Sequence, residues 1–184
     1  MRGDETAEPD ARRTVELAAA GDHDAWEQIY RSVYPRLRAY VARQVNADVV
    51  DDMVSETMMR AVAGINCYRW EPAGIDPWLF GIARRVVVDH YRKSGRDRRN
   101  ALAERSPWSV AEPGDALVHA DELTAVRAAF ERLPAADREL LEFRVIARLS
   151  ADEVAAMLGK RPGTIRTAQS RALARLRTIL DQQP

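Results

Sequence analysis

Apolar side chains recur at steps of three and four residues along most of the chain, and this period constrains the fold more than any other feature. The first such stretch lies between Asp24 and Val45. A second stretch lies between Asp48 and Ile65, and its expected buried face contains Val50, Val54, Met58, Ala61, Val62 and Ile65. We find neither the alternation of apolar and polar residues that is typical of a strand nor a repeat of fixed period. The sequence therefore predicts an all-α protein.

Prolines, aspartates and glycines predict where these helices begin and end. Either Asp22 or Asp24 caps the first helix, and Pro35 inside it predicts a kink or a break. Asp76 followed by a proline predicts the start of a third helix, which should run to about Lys93 and end before Gly95.

The chain has 184 residues, and its apolar content of 46 % is enough for a hydrophobic core in each of two small domains. Residues 96–118 are rich in charge, contain Pro107, Pro113 and Gly114 and have little helical period, which predicts a linker. Two small helical domains, residues 14–95 and 119–181, should therefore be joined by a flexible linker. The first ten residues, MRGDETAEPD, are acidic and polar, and we expect residues 1–13 to be disordered.

The segment 149–177 carries a helix-turn-helix pattern. Ser150 and Glu153 match a capping box, in which a hydroxyl and a carboxylate each accept a hydrogen bond from a backbone amide at the helix start. Gly159 supplies a residue that tolerates the left-handed conformation at the helix end, and Pro162 is placed to begin a second helix. A short helix, a glycine turn and a longer basic helix form an arrangement that fits a DNA major groove.

The second helix of this pattern has an apolar face and a polar face. Its expected inward residues are Ile165, Ala168, Ala172, Leu173, Leu176 and Ile179. Arginine can pair bidentately with guanine, and threonine or serine can bond to bases or phosphates. The candidate DNA contacts are Arg161, Gly163, Thr164, Arg166, Thr167, Ser170 and Arg171. A helical hairpin in an ordinary core remains the alternative.

The charge distribution is regional. The chain has 28 basic and 28 acidic residues and a net charge of zero, yet residues 84–99 and residues 160–184 each carry a net charge of +5. Two basic zones separated by acidic stretches indicate two contacts with one extended polyanion. Solvated helix faces would give the same pattern.

Cysteine content and the N-terminal segment bear on the compartment. Cys67 is the single cysteine, so no intramolecular disulfide can form, which fits a reducing compartment. The N-terminal segment lacks the basic-then-apolar order of a secretory signal, and no apolar run is long enough to cross a bilayer. We therefore expect a cytoplasmic protein with no membrane insertion.

An enzyme with a metal centre is one alternative. Such a centre would combine Asp51, Asp52 and Glu56 with a histidine. The three histidines lie in separate segments without ligand spacing, and the chain has neither a glycine-rich phosphate loop nor a nucleophile motif. We therefore expect no catalytic site, no metal and no cofactor. A hydrolysis assay with added metal tests this.

Three segments together resemble the extracytoplasmic-function (ECF) sigma factors of bacterial RNA polymerase, which belong to the sigma-70 family. The stretch FERLPAADRELLEFRVIARLSADEVA and the helix-turn-helix after it resemble that family's C-terminal domain, which binds the promoter −35 element. DVVDDMVSETMMRAV at 48–62 resembles its polymerase-binding helix. PWLFGIARRVVVDHYRKSGR at 77–96 resembles its −10-binding helix. The segments occur in the family's order, with the linker where the family has one.

The resemblance implies a role for each matching residue. Asp51, Asp52 and Glu56 should bind the clamp coiled coil of the largest polymerase subunit, and the flap is a second contact. The loop before the −10 helix should hold a flipped base, whose unstacking must be offset by contacts in a pocket. The implied −10 contacts are Asn66, Tyr68, Arg69, Trp70, Arg84, Arg85, Arg92 and Lys93.

The resemblance also implies partners, which are core polymerase, promoter DNA and an anti-sigma factor. Independently of the resemblance, we expect Trp78 and Phe80 in the core rather than at DNA. Asp89 lies one helical turn from Arg85 and from Arg92, so we expect it in an ion pair on its own helix.

A free-standing helix-turn-helix repressor or activator is the second alternative. Such a protein would dimerise on a palindromic site without polymerase. It would leave the acidic helix at 48–62 and the second basic domain without a role.

Overall fold

The computed structural model describes residues 7–93, 95 and 120–182. Within these residues it contains eight α-helices and no strand, which confirms the all-α prediction. The N-terminal domain comprises α1 (Ala7–Ala19), α2 (His23–Ala42), α3 (Val50–Gly64) and α4 (Asp76–Lys93). The C-terminal domain comprises α5 (Ala120–Glu131), α6 (Ala135–Leu141), α7 (Ala151–Leu158) and α8 (Pro162–Asp181).

Helix α1 corrects the expectation of a disordered N-terminus for residues 7–13. These residues are helical because the same helix continues to Val15 and Ala18, which are buried against α2. Burial of an apolar face stabilises a helix that its acidic, polar composition alone would not. Residues 1–6 and the expected linker, 96–118, lie outside the described residues.

Helix α2 runs unbroken through Pro35, so the expected break is wrong. Proline removes only its own backbone donor, and Pro35 lies on the exposed side of the helix. Val33 and Leu37 on either side are fully buried, and their packing holds the helix together. Of the two cap candidates, Asp22 is the one used, because its carboxylate accepts a hydrogen bond from the Ala25 amide at 2.8 Å.

The other predicted helix ends agree with the structure. Helix α4 begins at Asp76, and Gly95 after it has φ +66°. Ser150 and Glu153 form the capping box, Gly159 is left-handed at φ +63°, and Pro162 is the first residue of α8. Each of these signals depends only on near neighbours in the chain, so the sequence is sufficient to predict it.

One apolar core joins the two domains. It contains residues of α1 to α4 together with Leu140, Phe143 and Val154 of the C-terminal domain. A smaller core inside the C-terminal domain contains Leu133, Leu141 and Ala172. Leu173, which the helical period assigned to the inward face of α8, is 46 % exposed because α5 and α6 cover only part of that face.

Candidate nucleic-acid and polymerase interface

Helix α8 exposes the polar face that the sequence predicted. Arg161, Gly163, Thr164, Arg166, Thr167, Ser170 and Arg171 are all exposed. Pro162 at the first helical position has no backbone N–H, and the Thr164 amide donates to the Arg161 carbonyl at 2.9 Å. The structure therefore brings all seven candidates together on one accessible surface, which we call the α8 face.

The opposite side of α8 is anchored within the C-terminal domain. Ile165 and Ala172 are buried there. Gln169 accepts a hydrogen bond from Arg144 Nε at 2.7 Å, and Arg144 also donates to the Leu149 carbonyl. These contacts set the rotation of the helix, so that the α8 face points to solvent.

One arginine of the α8 face has a local partner. Arg166 Nη2 lies 3.1 Å from Asp152 Oδ2 at the start of α7, and both side chains are largely exposed. An exposed ion pair of this kind contributes at most about 1 kcal/mol, so Arg166 can exchange this partner for a phosphate or a base at low cost.

The basic residues of α4 have different surroundings. Arg85, Arg92 and Lys93 are exposed, as DNA contacts require. Arg84 is half-buried, and its Nε and Nη2 donate to the two carboxylate oxygens of Glu139 at 3.0 and 3.3 Å. This bidentate pair raises the pKa of Arg84 above its usual value. Sequence reasoning could not find this contact, because Glu139 is 55 residues away in the C-terminal domain.

The loop before α4 combines structural and accessible side chains. The Tyr68 hydroxyl donates to the Gly74 carbonyl at 2.9 Å, and its ring lies 5.1 Å from that of Trp78. Burial raises the pKa of Tyr68. Asn66 and Arg69 are exposed, whereas Tyr68 and Trp70 pack against the core. The loop therefore presents Asn66 and Arg69 most freely and uses Tyr68 to hold its own shape.

The acidic residues of α3 lie beside exposed apolar side chains. Asp51 Oδ1 accepts a hydrogen bond from Arg38 at 3.1 Å, and Glu56 accepts one from Arg60 at 2.7 Å. Asp52 is exposed at the edge of a cleft of about 430 Å³ between α3 and α4. We call Asp51, Asp52 and Glu56 the α3 acidic face.

Sequence reasoning missed the apolar part of this surface. Met59 is 60 % exposed, and Val62, which the helical period assigned to the buried face, is 51 % exposed. Exposed apolar side chains beside charges are typical of protein-binding surfaces. The signal in the sequence was Met59, an apolar residue on the polar face of α3, which indicates an exposed apolar contact.

Asp89 connects α4 to α3. Its carboxylate accepts hydrogen bonds from Arg92 at 3.1 Å, as expected for a pair on one helix, and from Arg60 of α3 at 3.0 Å. The hydrogen bond from Arg60 is the main reason why the pKa of Asp89 lies below its usual value. Phe80 is fully buried, as expected, and Trp78 packs partly against the core.

Two properties of the described residues concern metal binding and membrane spans. The described residues contain no cluster of three or more histidines, cysteines or carboxylates arranged to hold a metal ion. Within the same residues, no helix combines the length and hydropathy needed to cross a bilayer.

Two family matches cover most of this surface. Residues 29–97 match sigma-70 region 2, and residues 123–176 match sigma-70 region 4. The first match contains the α3 acidic face and α4, and the second contains the α8 face. The chain therefore has the two regions that define sigma-70 type transcription initiation factors.

Relatives that align over most of the chain identify the family within the sigma-70 class. The chain is 35 % identical over 172 residues to the ECF RNA polymerase sigma factor SigD of Mycobacterium tuberculosis, covering 89 % of this chain and 80 % of that protein. It is 30 % identical to the ECF sigma factor ShbA of Streptomyces griseus, covering 99 % of this chain and 100 % of that protein. The protein belongs to the ECF sigma factors. It therefore directs promoter-specific transcription initiation, which excludes the free-standing regulator.

Solved structures show the same fold. CnrH in complex with the cytosolic domain of CnrY matches with a TM-score of 0.69 over 94 % of this chain and 98 % of that chain, at 24 % identity. The sigma factor RpoE of Bartonella quintana, in complex with the anti-sigma factor NepR, matches with a TM-score of 0.63. That match covers 86 % of this chain and 98 % of the other, at 27 % identity.

Proposed function

We propose that three surfaces of this protein have separate binding roles in transcription initiation. The α8 face binds the −35 duplex, the exposed basic residues of α4 and its preceding loop bind the −10 element, and the α3 acidic face binds the polymerase clamp. The observation that carries this proposal is the α8 face itself, in which Gly163 and six polar or basic residues share one exposed surface at the start of an anchored helix.

The chemistry of the α8 face supports duplex binding. Arg166 and Arg171 project from the first half of the helix, where a recognition helix approaches base edges. Arginine forms bidentate pairs with guanine, and the hydroxyls of Thr164, Thr167 and Ser170 are suited to phosphates and bases.

The −10 assignment rests on accessibility and charge. Arg85, Arg92 and Lys93 are exposed on α4, and Asn66 and Arg69 are exposed on the loop. Basic residues can hold the phosphates of the separated strand, while an amide and a guanidinium can bond to an unstacked base. Arg84, Tyr68 and Trp70 complete the proposed −10 surface from half-buried positions.

Polymerase binding and its control form the rest of the proposal. The α3 acidic face matches a basic coiled coil, with Met59 and Val62 as apolar contacts beside it. By analogy with the Bartonella relative, whose structure contains its anti-sigma factor, we infer that an anti-sigma factor holds this protein inactive. The chain would act in the cytoplasm, without a catalytic site or cofactor, through residues 14–95 and 119–181 as its two domains.

Run-off transcription tests the proposal. Purified core polymerase is given a fragmented genomic library with and without this protein, and the 5′ ends of the products are sequenced. We expect discrete starts that need the protein and share two motifs about two helical turns apart. No starts, together with a shift of duplex DNA by the protein alone, would contradict the polymerase assignment.

A further inference from the structure

Arg144 connects three parts of the C-terminal domain. It lies in a single π-helical turn, Glu142–Ile146, that follows α6. Its Nε donates to Gln169 Oε1 in the middle of α8 at 2.7 Å, and its Nη1 donates to the Leu149 carbonyl just before α7. One guanidinium therefore joins this turn to both helices of the helix-turn-helix.

The turn that carries Arg144 is fixed in the core. Phe143 is fully buried, and its carbonyl accepts a hydrogen bond from the Leu149 amide at 3.0 Å. Arg148 adopts φ +55°, a left-handed conformation that a residue with a Cβ holds only when its surroundings require it. The backbone around Arg144 is thus constrained on both sides, and its guanidinium is a rigid support for α8.

The apolar contacts of α8 define its rotation only weakly. On its inward face, Ile165 and Ala172 are buried and Ala168 is half-buried. Apolar burial has no preferred direction, and an alanine methyl presents little shape to its neighbours. A hydrogen bond, in contrast, requires both a distance and an angle between donor and acceptor. The contact between Arg144 and Gln169 therefore adds a directional constraint to this part of the helix.

Base recognition needs this constraint more than phosphate binding does. A rotation of about 20° moves a side chain at the outer radius of a helix, ~6 Å from its axis, by about 2 Å. Such a displacement breaks a bidentate pair between arginine and guanine, whose donors and acceptors must align. A flexible basic side chain can still reach a phosphate, and phosphate contacts carry no direct sequence information. Loss of the constraint should therefore reduce discrimination between sequences more than affinity for DNA in general.

We propose that Arg144 is a positioning residue for −35 recognition. Through Gln169 it fixes the rotation of α8, and it thereby sets how strongly the α8 face distinguishes one base sequence from another. Arg144 is half-buried, and its Nε and Nη1 already donate to protein acceptors, so it acts without contacting DNA. This inference rests on the proposed binding of the −35 duplex by the α8 face.

Arg144→Met tests the proposal in the full-length chain, because it keeps an unbranched side chain and removes both donors. Two duplexes serve as probes, one with the upstream motif shared by the run-off starts and one with that motif scrambled. We expect affinity for the motif to fall at least fivefold and affinity for the scrambled duplex to change less than twofold. Arg31→Met removes the same charge from α2, where Arg31 forms an exposed pair with Glu27, and should change neither affinity.

Other outcomes would overturn the proposal. An unchanged ratio of the two affinities would show that Arg144 does not set discrimination. An equal loss for both duplexes would also contradict it. In that case a salt dependence shallower by about one unit of log–log slope would identify Arg144 as a phosphate contact, and an unchanged slope would indicate a purely structural role. If the protein with native Arg144 does not itself prefer the motif, the proposed function of the α8 face fails as well.

Substitutions of Gln169 test the same contact from its other side, and they are decisive even if Arg144→Met fails to fold. Gln169→Leu removes the acceptor and should lower discrimination as much as Arg144→Met does. The double variant should lose no more than either single variant, because both changes break one contact. Gln169→Glu keeps an acceptor for Arg144, so discrimination should persist while the added negative charge weakens binding to both duplexes equally. Additive losses, or a loss of discrimination in Gln169→Glu, would overturn the proposal.

Discussion

Single arginines in this protein differ in role because of their neighbours. Arg171 is exposed, Arg166 has an exposed partner in Asp152, and Arg84 is held by Glu139 of the other domain. Arg171 is thus accessible to DNA, Arg166 becomes accessible when it gives up an exposed ion pair, and Arg84 is held in an ion pair between the domains. Only the spatial arrangement distinguishes these cases.

Asp152→Asn should strengthen −35 binding. The change frees Arg166 and removes a negative charge beside the α8 face, so we expect affinity for −35 duplex to rise about two- to fivefold. The dependence on salt should steepen by about one unit of log–log slope. Fluorescence anisotropy at several salt concentrations measures both. Asp181→Asn, at the far end of α8, is the matched control, and an equal gain there would indicate a nonspecific charge effect.

Asp89 should make stability depend on pH. Its folded-state pKa is lowered, chiefly by the hydrogen bond from Arg60, so the stabilisation is present at neutral pH and is lost as pH falls through that lowered value. Asp89→Asn should therefore destabilise the protein at pH 7 and have a shrinking effect below about pH 4. Urea unfolding at several pH values tests this, with the exposed Asp10→Asn as control. A pH-independent difference would contradict it.

The ends of helices in this protein are set by neighbouring residues in the chain, whereas the continuity of a helix depends on tertiary packing. The capping box at Ser150, the left-handed Gly159 and the initiating Pro162 all act within a turn of the chain. In contrast, α2 continues through Pro35 because buried neighbours on both sides hold it in place.

Two glycines provide a matched test of the helix-turn-helix. Gly159 has φ +63°, so Gly159→Ala should destabilise the protein by about 1 kcal/mol. Gly163 is inside α8 at negative φ, and Gly163→Ala should stabilise it by up to about 1 kcal/mol. A Cβ at either position meets nothing within 4 Å, so the backbone conformation alone decides whether the alanine raises or lowers the free energy of unfolding. Urea unfolding checks both, and equal signs would contradict the argument.

Charge reversal on α3 tests its proposed role. Asp52→Arg should weaken core polymerase binding about tenfold at low salt and less at high salt, because exposed charges are screened. Asp10 is exposed on α1, away from this face, so Asp10→Arg makes the same charge change and should have no effect. Binding by labelled protein in an anisotropy titration measures the difference. Equal loss in both variants would exclude a specific contact.

The whole molecule is electrically neutral and has a core that both domains share. Its basic and acidic regions cancel in sum, so DNA binding depends on where each region lies rather than on net charge. Because Phe143 of the C-terminal domain is buried against Tyr40 of the N-terminal domain, the two domains should unfold together.

Phe143→Ala should uncouple the domains. The lost packing should cost about 3–5 kcal/mol, and the domains should then unfold in separate steps. Trp26, Trp70 and Trp78 report on the N-terminal domain by fluorescence, and circular dichroism reports on all helices; Trp108 is replaced by Phe in both proteins. The two signals should coincide in the protein with native Phe143 and separate in the variant. Coincidence in the variant would show that Phe143 is not the residue that couples the domains, and separate transitions in the protein with native Phe143 would contradict a shared core.

The sequence alone determined the helical fold, the helix ends within the helix-turn-helix and the composition of the α8 face. These features depend on the helical period and on contacts within a turn, which are encoded between near neighbours. Only the tertiary structure decided that Leu173 and Val62 are exposed, that Pro35 lies in an unbroken helix, and that Glu139 holds Arg84. Those outcomes depend on which surfaces pack together across the chain, and the period of one helix carries no information about its distant partner.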